Sequence, residues 1–194
     1  MIAEERERRP MSLDDWRALE QSSEVKHEYI DGYVHAMASG TEAHARIAVN
    51  ALTALDSALG DGPCMVYSSD VAARLSESRF TYPDVMVTCG GTGIASRTNT
   101  EVGNPTVVVE VLSESTEHYD RTRKFGYYRQ CPTLQEYVLV NTDSRLIEVY
   151  RRTGDGWGLF SIYGPDDVVE LASIGVRIPV STLYRRTDVP ETLD

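Results

Sequence analysis

The stretch from Pro105 to Thr116, PTVVVEVLSEST, constrains the fold more than any other part of the chain. Val107, Val108 and Val109 precede Glu110, and Val111 and Leu112 follow it, so apolar side chains flank a carboxylate on both sides. A run of this kind, opened by proline and closed by a polar turn, reads as a buried strand. Burial strips an ionised carboxylate of its water, which is costly unless a cation or hydrogen bonds take the water's place. The fold must therefore bring something positive to Glu110. Because strand side chains alternate, Thr106, Val108, Glu110 and Leu112 share one face, and Val107, Val109, Val111 and Ser113 share the other.

The rest of the chain supplies a mixed α/β order around this strand. Ser12 is placed to cap a short amphipathic helix carrying Leu13, Trp16 and Leu19, with Asp15 three residues after the cap. In KHEYIDGYVHAM, Asp31-Gly32 between two short alternating runs predicts a two-residue hairpin, with Glu28 on its first strand. Ile47, Ala51, Leu55 and Leu59 recur every four residues, and Gly60-Asp61-Gly62 ends the pattern, as for a helix over 41–59. Strands are expected in CMVYSSDVAARL and YPDVMVT, and a loop in the glycine-rich CGGTGIASRTNTEVGNP. A helix capped at Ser115 or Thr116 should run to about Gln130, followed by strands in LQEYVLV, RLIEVYRR and GWGLFSIYG. This order predicts a mixed sheet flanked by helices, with a charged, disordered arm over 1–11, a single domain over 12–184 and a polar, frayed tail over 185–194.

Charge and composition narrow the function classes. The formal net charge is −11 and the isoelectric point is near 4.8, so the chain lacks the basic footprint of a protein that grips nucleic acid by its phosphates. RTRK at 121–124 is a local exception. The apolar runs are too short to span a bilayer and the N-terminus carries no apolar signal segment, which predicts a cytoplasmic protein. Cys64, Cys89 and Cys131 are widely spaced and odd in number, so they are expected as buried free thiols. The four histidines form no zinc-binding pair.

Asp84, after Pro83 in YPDVMV, is a second acid where the pattern prefers a hydrophobe. Two carboxylates on neighbouring strands repel and raise each other's proton affinity unless a cation lies between them. Magnesium suits such a place, since it takes one or two carboxylates and keeps several waters, and manganese can substitute. The same spacing also suits Asp84 capping a turn and Glu110 paired with an arginine.

YPDVMV, VVVEVLSEST, YDRTRKFGYY and LQEYVLVN, in this order and with HEYIDGYVHAM upstream, resemble the PD-(D/E)XK nuclease superfamily, in particular its Uma-two branch, over roughly 12–184. The resemblance implies a restriction-endonuclease-like α/β fold and Mg²⁺-dependent cleavage of DNA. Carried over by residue, it makes Asp84 and Glu110 the metal ligands. The lysine expected two residues after the glutamate is replaced by Leu112, and in this branch Lys124, from the following helix, takes its place. Without that role, Lys124 would be one half of an exposed helical pair with Asp120. Glu28 matches an acidic position that completes the metal shell or orients a water; its place on a hairpin strand equally suits a solvent-facing charge. His44 falls where the family favours histidine, and Tyr128, one turn after Lys124, is a candidate to contact phosphate or to pack. The acidic charge and Leu112 equally suit a nuclease-like module that binds or oligomerises without cutting. A homodimer is one way to supply the missing basic surface.

Overall fold

A computed structural model describes residues 10–37, 39–91, 96–154 and 156–192. Helix α1 (Leu13–Ser22) starts where the sequence asks, with the Ser12 hydroxyl accepting the Asp15 N–H. Strands β1 (His27–Ile30) and β2 (Tyr33–Ala36) form the expected hairpin, and its two turn residues adopt positive φ, 50° at Asp31 and 92° at Gly32. Helix α2 (Glu42–Leu59) is capped by Thr41 and ends at Gly60.

Strands β3 (Cys64–Ser68), β4 (Ala72–Ser76), β5 (Arg79–Thr81), β6 (Val85–Cys89), β7 (Glu101–Gly103) and β8 (Pro105–Val111) lead to a broken helical segment. That segment runs from α3 (Glu117–Tyr119) through a π turn (Asp120–Lys124) to α4 (Phe125–Arg129). Then come β9 (Glu136–Val140), β10 (Ile147–Thr153), β11 (Gly156–Tyr163), β12 (Val168–Leu171), β13 (Val176–Pro179) and α5 (Val180–Leu183).

The central layer is a six-stranded sheet in the order β11-β10-β9-β8-β6-β3, in which only β8 and β9 are parallel. Its two faces follow the alternation of β8. Val107, Val109 and Val111 pack with Ile47, Ala51 and Leu55 of α2 and with the β12–β13 hairpin. Val108 and Leu112 pack on the opposite face with Tyr128, Leu134 and Tyr137. Glu110 lies on this second face, under the helical segment. The five-stranded sheet β2-β1-β5-β4-β7 adds Ala73 and Leu75 to the same cluster and holds its own small core around Trp16, Tyr29 and Phe80. Among the described residues, no helix is long and apolar enough to cross a membrane.

Several expectations are corrected. Cys64 and Cys89 are not free thiols: they pair directly across β3 and β6 and are joined by a disulfide, leaving Cys131 as the free, buried cysteine. Cross-strand register, which the 25-residue separation does not reveal, decides this. The glycine-rich loop contains β7, which pairs in parallel with β4, while residues 92–95 lie outside the described set. The β12–β13 hairpin follows the last strand that sequence reading located.

The ends are also more ordered than expected. Of the arm expected over 1–11, residues 1–9 lie outside the described residues, and Met11 is tied down, its N–H donating to Gly32 O at 2.8 Å. The tail does not fray at 185: Val189 is buried, and Arg145 donates its backbone N–H to Pro190 O and its Nε to Val189 O.

Candidate functional site

Pairing of Val85 with Val109 places Asp84, just before β6, across from Glu110 on β8. The Asp84 side chain accepts the Val111 N–H at 2.7 Å, so it both terminates the strand pairing and faces the cleft beyond. His44, in the first turn of α2, brings Nε2 to 3.3 Å from Asp84 Oδ2. Gly40 makes room for that imidazole, since a Cβ there would meet His44 Nδ1 at 2.7 Å. The Asp84 contact raises the pKa of His44 against the opposing effect of burial.

Lys124 answers the question that Glu110 poses. Its ammonium stands 2.9 Å from Glu110 Oε1, 3.3 Å from Glu28 Oε1 and 3.6 Å from Asp120 Oδ1. All four side chains are buried. Burial alone would lower the pKa of Lys124, but the three surrounding carboxylates, Glu110 foremost, hold it well above the ordinary lysine value. Burial pushes Glu110 well above the usual carboxylate range, with Lys124 pulling the other way, and Asp120 is raised for the same reason. Glu110 also accepts the Tyr128 hydroxyl at 2.7 Å, and Glu28 Oε2 accepts the Tyr119 hydroxyl at 3.1 Å. Glu28 Oε1 has no hydrogen bond of its own, which leaves a buried acceptor turned toward the ammonium.

Asp84, Glu110, Lys124, Glu28 and His44 all line one cleft of about 290 Å³, together with Asp120. Tyr128 is the exception among the sequence candidates. Its hydroxyl is buried, bonded to Glu110 and 3.1 Å from Thr81 Oγ1, so it stands behind the carboxylate, and of its two expected roles the structure shows packing and hydrogen bonding. The alternative of an exposed Asp120–Lys124 pair fails only in its exposure: the two residues pair at 3.6 Å, but both are buried. Asp120 is the residue that sequence reading passed over. Its signal was present in the four-residue steps from Asp120 to Lys124 to Tyr128, which place all three on one helix face.

The donor set fits a hard divalent cation. Four carboxylates line the cleft, three around the Lys124 ammonium and Asp84 beside His44, and they supply the hard oxygen donors that Mg²⁺ or Mn²⁺ takes. Among the described residues, no three metal-ligating side chains converge as a complete protein cage would require. A cation held by Asp84 and Glu110 would have to take its remaining ligands from water or substrate oxygens.

The Uma2 family model, described as "Putative restriction endonuclease", matches residues 13–181. An uncharacterized protein of Synechocystis is 38% identical over 177 residues, covering 90% of this chain and 92% of its own length. A second from the same organism is 34% identical over 155 residues, covering 79% and 88%. A crystal structure from Anabaena variabilis, described as a "putative nuclease belonging to DUF820", shares the fold with a TM-score of 0.71 at 20% identity, covering 90% of this chain and 98% of that one.

Proposed function

The chain belongs to the Uma2 family of restriction-endonuclease-like proteins, and from that premise we propose that it is a metal-dependent phosphodiesterase that cleaves DNA. The observation that carries the reading is the meeting of Glu110 and the Lys124 ammonium at 2.9 Å, beside Asp84, in one cleft. Asp84 and Glu110 would hold Mg²⁺, or Mn²⁺ in its place. Bound there, the ion would polarise the scissile phosphate and lower the pKa of a water. Lys124 orients that water or stabilises the charge that develops on the phosphate. Glu28 and Asp120 keep the ammonium protonated and in position, and His44 fixes the rotamer of Asp84. A cytoplasmic location belongs to the same proposal.

The test is cleavage of a labelled DNA oligonucleotide by the full chain with Mg²⁺ or Mn²⁺. Asp84→Asn should remove cleavage while leaving the fold intact, because an amide oxygen can still accept the Val111 N–H. Undiminished cleavage by that variant would remove the assignment.

One observation favours the alternative, a nuclease-like module that binds or oligomerises without cutting. Lys124 already gives Glu110 an ion pair, so the burial of Glu110 does not by itself demand a metal. Calorimetry with Mn²⁺ separates the two readings, since the inactive module would show no affinity that depends on Asp84. A homodimer belongs to either reading, and β11 is the edge it would use. Leu159, Phe160 and Ile162 are about half exposed along this uncharged outer strand, and such edges invite pairing. Sedimentation velocity at rising concentration tests it, and a monomer throughout would exclude it.

A further inference from the structure

Tyr137 sits on β9 opposite Val108, fully buried and behind the cleft rather than in it. Its ring stacks on Phe125, with centroids 4.8 Å apart and planes 8° from parallel, and lies 5.2 Å from the ring of Tyr128. Both neighbours belong to α4, directly after the π turn. A phenylalanine would satisfy this packing equally well. The hydroxyl needs its own explanation, because a buried hydroxyl is tolerated only with a partner.

That partner is the backbone carbonyl of Asp120, which accepts the Tyr137 hydroxyl at 3.0 Å. The same carbonyl opens the π turn and accepts the N–H of Phe125, five residues on. In an α-helix it would accept the N–H of Lys124, four residues on. A side chain inserted into the helical ladder is an established cause of local departure from α geometry, and π turns concentrate at functional sites.

We infer that Tyr137 is a positioning residue. By holding the Asp120 carbonyl, its hydroxyl maintains the π turn that sets Asp120 and Lys124 against Glu28 and Glu110. A π turn carries one residue more than the α-helix it interrupts, and each residue turns an α-helix by about 100°. Because Phe125 and Tyr128 anchor α4 in the core, closing the turn would rotate the segment upstream and swing the Asp120 carboxylate off the ammonium. The geometric claim is independent of cleavage; only its effect on rate rests on the nuclease reading.

The chain has just two lysines, Lys26 and Lys124, so a ¹⁵N-lysine-labelled sample yields one ammonium signal for the site and one internal control. In Tyr137→Phe the Lys124 signal should shift and its hydrogens should exchange with solvent about tenfold faster, as the loss of one buried hydrogen bond supports, while Lys26 stays unmoved. On the nuclease reading, kcat for an oligonucleotide should fall about tenfold with KM unchanged. Tyr184→Phe removes another buried hydroxyl, bonded to Asn141 O and Leu146 O on the opposite face of the sheet, and should leave Lys124 as it is.

Deleting Thr122, an exposed residue of the π turn, closes the turn by a separate route and should move the Lys124 signal in the same way. An unchanged Lys124 signal in either folded variant overturns the assignment. Absence of cleavage by the unmodified chain would count against the nuclease reading alone, because the ammonium signal still decides the role of Tyr137.

Discussion

The Lys124 ammonium lies 2.9 Å from Glu110 Oε1, which makes a buried ion pair between a central strand and the π turn above it. Lys124→Met would leave Glu28, Glu110 and Asp120 facing one another without a cation. Removing one partner from a buried charge cluster costs about 3–5 kcal/mol. Urea unfolding should show this loss, and adding Glu110→Gln should restore part of it. Strictly additive losses in the double mutant would mean that the pair does not couple.

Stability should also depend on pH through Glu110. Its pKa is raised well above the ordinary 4.5, first by burial, so the native state binds this proton more tightly than the unfolded chain does. A raised carboxyl contributes stability that is fully present below the unfolded pKa and is lost as pH rises through the folded one. The metal-free protein should therefore lose stability as pH climbs above the ordinary carboxylate range, with the ion pair to Lys124 opposing the loss without cancelling it. In Glu110→Gln thermal unfolding over the same range should be flatter, and a slope equal to that of the unmodified chain would contradict this account.

Metal binding should act in the opposite direction. A divalent ion on Asp84 and Glu110 requires both as carboxylates, so Mn²⁺ affinity should rise with pH and binding should release protons. Calorimetry in buffers of different ionisation enthalpy reads that proton count. Asp84→Asn should weaken binding at least about tenfold, the lower range for disrupted metal sites.

Glu136 provides a contrast, as a buried carboxylate with a structural role. It is fully buried, pairs with Arg151 at 2.6 Å and accepts the N–H groups of Ala172 and Ser173, tying β9 to the β12–β13 turn. Glu136→Ala should cost about 3–5 kcal/mol by stranding Arg151 and two backbone donors. Cleavage per folded molecule should be unchanged below the melting transition.

Thiol counting checks the strand register at the sheet edge. Denatured without reductant, the protein should expose one reactive thiol, Cys131, and after reduction three. The cross-link closes a loop of 25 residues, for which the chain-entropy account gives about 3.5 kcal/mol of stabilisation. In a reducing cytoplasm the same pair would stand as two thiols facing each other across the strands.

Local signals carried much of this protein. The Ser12 cap, the Asp31-Gly32 hairpin and the Thr41–Leu59 helix each depend on residues within one or two turns of one another, and all three formed where the sequence places them. The alternation of β8 likewise placed Glu110 on one face, and the apolar run around it required a positive partner. Asp84 and Glu110 could be singled out because each breaks an apolar pattern, whereas Lys124 was reached only through the family resemblance.

What lies across the sheet had no such signal. Glu28 and Lys124 are 96 positions apart and Asp84 and Val111 are 27 apart, so their contacts depend on strand order and register. The inward turn of Asp120, the disulfide and the docking of Val189 depend on them as well. The hydroxyl that binds the first carbonyl of the π turn comes from β9, outside the helical segment itself. Helix and strand patterns reflect backbone geometry over a few residues, whereas the positive partner that Glu110 requires is chosen only when the layers close.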